Sequence, residues 1–176
     1  IHTWNNDRET LTVKPFLRVD SSDPRRTHGD IRQLDWTKSI GEWEIRAGAR
    51  KVFWGVTESV HLVDTINQTD MVENFDGEQK LGQPMLNLAW VKDFGTFDFF
   101  YLPYFRERTH TGPKGRLRFA LPVSEDSEFE SNSKNWHPDV AARYFHSVGP
   151  FDIGLSHFYG TNREPRYVID SDSSLQ

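Results

Sequence analysis

The sequence predicts an all-β protein: an antiparallel transmembrane β-barrel built as a meander of hairpins, with residues 1–176 forming a single segment of a partial barrel. Three observations carry this. Apolar residues alternate with period two, one hairpin signature recurs at a fixed spacing, and short turns alternate with long connections.

The first strand signal runs from Thr10 to Asp20. Leu11, Val13, Pro15, Leu17 and Val19 fall on one face, and Thr10, Thr12, Lys14, Phe16, Arg18 and Asp20 on the other. Between Glu42 and Lys51 the alternation is cleaner, with Trp43, Ile45, Ala47 and Ala49 set against Glu44, Arg46, Gly48 and Arg50. Phe151, Ile153, Leu155, His157 and Tyr159 repeat the pattern near the end of the chain. The repeated signature is aromatic, four residues, Gly, any residue, aromatic, acid, apolar. It reads Trp36…Gly41-Glu42-Trp43-Glu44-Ile45, Trp90…Gly95-Thr96-Phe97-Asp98-Phe99 and Tyr144…Gly149-Pro150-Phe151-Asp152-Ile153, with successive glycines 54 residues apart. Glycine accepts the positive φ of a tight turn, so each unit reads as strand, turn, strand, with the flanking aromatics able to meet across the pair. Leu34, Leu88 and Ala142 extend the apolar columns upstream. A further strand is expected to start at Arg166 to Asp170, after about seven others.

Two connections are long and polar. Residues 53–84 are expected to form a constriction or plug, since Val60, Leu62, Val63 and Ile66 need something to pack against, and residues 107–138 a long external loop. Trp36, Trp43, Trp90, Phe97, Tyr144 and Phe151 are the expected membrane-girdle aromatics beside the short turns, with Tyr101, Phe105, His157 and Tyr159 approaching the opposite girdle. The composition agrees: hydrophobic residues make up only 36% of the chain but aromatics 14%, and mean hydropathy is −0.69, as expected where apolar side chains occupy alternate positions. No apolar run is long enough for a membrane-spanning helix; Leu81 to Val91 is uncharged but broken by Gly82, Gln83 and Pro84. A net charge of −5 with scattered basic residues argues against nucleic acid as a partner, and the absence of cysteine removes disulfides and thiol chemistry. A chain beginning at Ile1 is expected to be a processed or truncated product.

For a channel, the working residues are charges that alternate inward: Glu44, Arg46, Arg50, Asp98, Arg106, Arg143 and Asp152, whose mixed signs predict weak ion selectivity. Glu58, His61, Asp64, Asn67 and Asp70 are the constriction-loop candidates. Their oxygens would also suit calcium, but the spacing is not that of an EF-hand loop, and no metal or other cofactor is expected. The seven histidines and the serine-rich stretch from Ser124 to Ser133 form no catalytic motif, so no enzyme is expected. In the basic stretch from Arg106 to Arg118, lipopolysaccharide phosphates are one candidate partner.

The stretch Arg46-Ala47-Gly48-Ala49-Arg50-Lys51-Val52-Phe53-Trp54-Gly55-Val56-Thr57-Glu58-Ser59, followed by Asp64-Thr65-Ile66-Asn67-Gln68-Thr69-Asp70, resembles a Gram-negative outer-membrane barrel group catalogued as domain of unknown function 1302. Trp54, Gly55, Glu58, Asn67 and Asp70 take the positions similar to that group's Trp-Gly-Glu-like turn and Asn-x-x-Asp segment, with Val56 and Thr57 intervening before the acid. The resemblance covers about 25 residues. It implies an outer-membrane porin-like channel for passive transport of a small solute, with outer-membrane lipid and lipopolysaccharide as surroundings and a homo-oligomer as one arrangement. The final Ser174-Leu175-Gln176 lacks the terminal aromatic of complete barrels. Two other readings of the residues stay open: a soluble, aromatic-rich β-sandwich that binds a ligand such as carbohydrate, and an outer-membrane barrel enzyme. In a membrane barrel Trp43, Ile45, Ala47, Ala49, Phe151, Ile153 and Leu155 must face outward; in a sandwich they fill a sealed interior.

Overall fold

The period-two segments form eight strands: β1 (His2–Trp4), β2 (Glu9–Arg18), β3 (His28–Ile40), β4 (Trp43–Arg50), β5 (Gln83–Lys92), β6 (Gly95–Leu102), β7 (Asp139–Val148) and β8 (Phe151–Tyr159). The structure is a computed structural model that describes residues 1–54, 64–74, 76–116, 118–124 and 126–169. All strand pairs are antiparallel and the order in the sheet is the order in the chain. The sheet is open: β1 pairs only with β2 and β8 only with β7 among the described residues. The short connections lie at one end of the sheet and the long ones at the other. The additional strand is β1; Arg166 to Ile169 belong to no strand. The long connections also differ from expectation at their edges. Gln83 and Pro84 already belong to β5, and the second connection begins after Leu102.

Alternation sorts the side chains into a covered face, where polar side chains are buried beside apolar ones, and a bare face rich in apolar side chains. On β5, Gln83 and Asn87 are completely buried, whereas Leu86 and Leu88 are 50% and 37% exposed. Phe99 and Tyr101 on β6, and Ile153 and Leu155 on β8, continue the bare face. Trp43, Ile45, Ala47, Ala49, Phe151, Ile153 and Leu155 all belong to it and none is buried. On β3 the regular alternation breaks at Arg32, which is left unpaired where the register with β2 shifts by one between Lys14 and Pro15. Proline supplies no N–H to a ladder, which accounts for a bulge at this point.

The three glycine turns are not equivalent. Gly41-Glu42 and Gly149-Pro150 are two-residue turns closed by Ile40↔Trp43 and Val148↔Phe151, with φ of 61° at Gly41 and 59° at Gly149. In the middle hairpin the turn is Asp93-Phe94, and Gly95 pairs with Lys92 inside the ladder. A Cβ on Gly95 would lie 2.4 Å from the Tyr144 ring and 2.8 Å from the Phe145 carbonyl oxygen, so its glycine answers to a close approach. Gly95→Ala is therefore expected to cost about 1–3 kcal/mol through overpacking and positive φ. Gly41→Ala, with nothing within 4 Å, should cost only about 1–2 kcal/mol of left-handed backbone strain. Guanidinium unfolding of the two variants checks the order.

The shift also changes which aromatics meet. Trp43↔Trp90, Trp90↔Phe97 and Phe97↔Tyr144 are direct cross-strand pairs, with ring centroids 5.7, 5.7 and 4.8 Å apart. Only the pair Trp90 and Phe97 lies within one hairpin; the other two contacts join neighbouring hairpins. Trp36 pairs with Ala47, which places it in the row of Leu86 and Tyr101 instead of this ladder. Phe151 lies beyond the ladder at the turn, opposite Val148.

The covered face owes its burial to the connection between β4 and β5. Trp54 and Ile66 from this loop pack on Met85, Phe100, Leu102 and Ala141, with Val52 and Phe158 at the margin. Phe100 and Leu102 form the floor of this packing.

Candidate functional site

Glu44, Arg46, Arg50, Asp98 and Arg143 lie on the covered face within strands, and the first four form a lattice with Asp35 and Asn87. Arg46 Nη1 donates to Asn87 Oδ1 at 2.9 Å, lies 3.5 Å from Asp98, and its Nε contacts Glu44. Arg50 Nη1 donates to the same Asn87 oxygen at 3.3 Å, while its Nε lies 2.9 Å from Asp35. Asn87 Nδ2 donates to Asp98 Oδ1 at 3.2 Å. The remaining amide hydrogen reaches the Phe99 carbonyl, so Asn87 joins three charged side chains of β4 and β6 without a charge of its own. Arg143 is the register neighbour of Asp98, and its Nη2 donates to the Trp54 carbonyl at 3.3 Å. Arg46, Arg50 and Arg143 thus face Asp35, Glu44 and Asp98, three charges of each sign. A lattice of this kind offers a wet, hydrogen-bonding wall with no dominant sign.

Two candidates stand elsewhere. Arg106 follows the end of β6 and bridges the Gly82 carbonyl at 2.9 Å and Asp30 at 3.1 Å. It is a staple between the entry of β5 and the far end of β3. Asp152 is exposed at the start of β8 and accepts from Ser147 Oγ at 2.6 Å, outside the lattice.

Among the constriction-loop candidates, Glu58 and His61 lie outside the described residues. Asn67 sits between the exit from β4 and the entry to β5. It accepts from Val52 N at 2.7 Å and donates to the carbonyls of Arg50 and Leu81 at 2.7 and 2.9 Å. Asp64 accepts from Trp54 N. Asp70, almost fully buried, accepts from Thr109 Oγ1 at 2.7 Å and pairs with Arg32, whose guanidinium the bulge in β3 releases toward the loop. With their oxygens so engaged, Asp64, Asn67 and Asp70 are anchors; among the described residues no three metal-ligating His, Cys, Asp or Glu side chains converge.

Sequence reasoning missed the pair that clamps this loop from the other side. Arg163 Nε donates to the Ile66 carbonyl at 2.9 Å and Nη1 to Asp139 Oδ2 at 2.7 Å, with both side chains buried. No local pattern links residues 24 apart, so no signal was available. Gln83 and Asn87 could have been found: they alternate with Pro84, Leu86, Leu88 and Trp90, and a polar column of that kind inside an uncharged strand marks a covered polar face.

At the long-loop end a cavity of about 1000 Å³ opens between three loops, lined by Phe105, Glu107, Arg108, His110, Tyr159 and Tyr167 among others. His110 contacts Tyr167 Oη at 2.8 Å, and burial, then the charges of Arg108 and Arg25, push its imidazole pKa down to about 4. Unfolded histidine takes up its proton near pH 6.5, whereas folded His110 does so only near pH 4. Acidification across that interval therefore favours unfolding. His110→Gln is expected to flatten this part of the stability profile, measured by chemical denaturation at pH 7, 5.5 and 4. Comparison with protein-family models, with curated proteins and with solved structures finds no match.

Proposed function

We propose that the chain forms part of the wall of a porin-like β-barrel in a Gram-negative outer membrane, passing a small solute along the polar face. The observation that carries this reading is the polarity of the two faces: leucine and aromatic side chains are bare on one while Gln83, Asn87 and Asp70 are buried on the other. In water that arrangement exposes a large apolar surface, whereas in a bilayer it matches lipid outside and a wet interior. Strands of 8 to 13 residues apart from β1, and short turns at one end only, fit the same geometry. The loop that bears Trp54, Asn67 and Asp70 would narrow the interior, and these are the described members of the motif that resembles domain of unknown function 1302. The balanced charge lattice favours neutral or weakly charged solutes over a selected ion.

Trp fluorescence in liposomes of brominated lipid tests the membrane claim. Strong quenching is expected, because Trp43 and Trp90 are on the bare face. Leu88→Lys is expected to cost about 2–4 kcal/mol in a bilayer if it lies near the midplane, and far less in aqueous solution. Unquenched tryptophan would sink the membrane reading. Absence of conductance in planar bilayers would remove the open-pore claim alone. The aromatic ladder favours one other occupant, a sugar stacked on Trp43 and Trp90 of a soluble sheet; saturable quenching by soluble saccharides without lipid quenching would decide for it.

A further inference from the structure

Where β4 leaves the sheet, the wall is thin. β4 ends at Arg50, and the chain turns onto the covered face, while β3 continues to His28 and β5 is led in by Gly82. Without a strand between them, Gly82 approaches β3 so closely that a Cβ would lie 2.9 Å from the Arg32 carbonyl oxygen. Across this junction lies a depression of about 590 Å³, lined by Ile31, Ala49 and Pro84 of the bare face, by Tyr104, and by Phe16, the register partner of Asp30. Its lining also contains Asp30 and Arg106, which are bonded to each other at 3.1 Å. Asp30 alternates with Gly29 and Ile31 and so belongs to the covered face. At this point, therefore, apolar side chains of the bare face and charges of the covered face border one depression.

The charge behind the depression is not balanced. Arg32 pairs with Asp70 and Arg106 with Asp30, while the neighbouring Arg18 and Glu73 pair at 2.9 Å. Lys51, the first residue past β4, is half-buried and makes no hydrogen bond or ion pair among the described residues. Burial, then the charge of Arg32 with Arg106 further down the order, presses its ammonium below the ordinary lysine pKa, while Asp70 and Asp30 oppose the shift. One positive charge is left over within electrostatic reach of Asp30 and Arg106, which line the depression. That combination fits one negative head group joined to one apolar chain.

We propose that this junction is a side opening in the wall that receives a single-chain anionic amphiphile, a fatty-acid carboxylate, with its head group at Lys51 and Arg106 and its chain along Ile31, Ala49 and Pro84. The proposal rests on the membrane-barrel reading, and it names a substrate class that enters or leaves through the wall instead of along the barrel axis.

The chain has no cysteine, so single cysteines can carry a fluorophore without background. Leu34→Cys, one ladder step from Ala49, reports on the opening, and Leu155→Cys on β8 reports on a distant part of the bare face. In detergent-folded protein, doxyl-labelled stearate is expected to quench the Leu34→Cys label saturably and the Leu155→Cys label only in proportion to its concentration in the micelle. Oleate should displace it and methyl oleate should not. Lys51→Gln should raise the half-saturation by about tenfold, and Lys51→Arg should restore it. Equal, unsaturable quenching at both labels, or saturation indifferent to Lys51→Gln, would overturn the proposal. Brominated-lipid quenching of the same protein keeps the two claims apart: if tryptophan is quenched but stearate does not saturate, the side opening fails while the barrel reading stands.

Discussion

Asp139→Ala is expected to lower the unfolding free energy by about 3–5 kcal/mol, the range for breaking one side of a buried ion pair. Asp139 is 1% exposed and accepts from Arg163 Nη1 at 2.7 Å and from Thr161 N at 2.9 Å. Its loss would leave the Arg163 guanidinium buried over the rings of Phe105 and Phe158 with no counter-charge. The same guanidinium holds the Ile66 carbonyl, so the loss extends to the loop that covers the sheet. Burial already pushes the Arg163 pKa below its ordinary value, with Asp139 pulling it back. Replacing both partners, Asp139→Ala with Arg163→Met, should cost clearly less than Asp139→Ala alone, because no charge is then stranded. Guanidinium unfolding of the single and double variants measures the difference. Equal losses would mean that the pair contributes through shape and not charge.

Asn67→Ala is expected to cost about 3 kcal/mol or more, since one buried and two part-buried backbone groups lose their partner at about 1–3 kcal/mol each. The groups are Val52 N–H and the carbonyls of Arg50 and Leu81, so one side chain closes both ends of the loop. Asn67→Asp keeps the acceptor for Val52 but loses both donations, and should fall between alanine and the parent. Because Trp54 lies in the same packing, the local readout is a red shift of its emission together with faster amide exchange at Val52. If the loop narrows a pore, single-channel conductance of Asn67→Ala should also rise. Unchanged conductance alongside the red shift would mean that the loop covers the sheet without limiting passage.

The strands were legible because a sheet with one polar and one apolar face writes its period directly into the chain. Trp43 to Arg50 and Phe151 to Tyr159 fall within one residue of their expected limits. The hairpin register was less so. A repeat of 54 residues fixes the residue types, but the middle turn moved by two positions, because bringing Tyr144 against Gly95 completes the aromatic ladder. The apolar Phe100 and Leu102 suggested a strand covered on both faces; only their own face is covered, by Trp54 and Ile66 from a loop more than thirty residues earlier, while Phe99 and Tyr101 stay exposed. Of the lattice, Arg46, Arg50 and Asp98 followed from alternation, whereas Asn87 did not, because a neutral side chain was not considered as the junction of a charged network. Arg106 carried the right charge at the wrong place, since a strand pattern was continued past Leu102 where the strand stops.

Among the described residues β8 is paired along one side only, and nearly all of its residues are exposed. Its sequence, Phe-Asp-Ile-Gly-Leu-Ser-His-Phe-Tyr, contains no lysine, arginine or proline to discourage another strand. In hydrocarbon each amide left without a partner costs several kcal/mol, so the free edge of a nine-residue strand would outweigh the gain from burying its leucine and aromatics. On the membrane-barrel reading, entry into a bilayer and capture of a strand by that edge would then occur as one cooperative step. A half-inserted sheet would be a high-energy species, and the rate of entry would depend on how soon a neighbouring strand arrives.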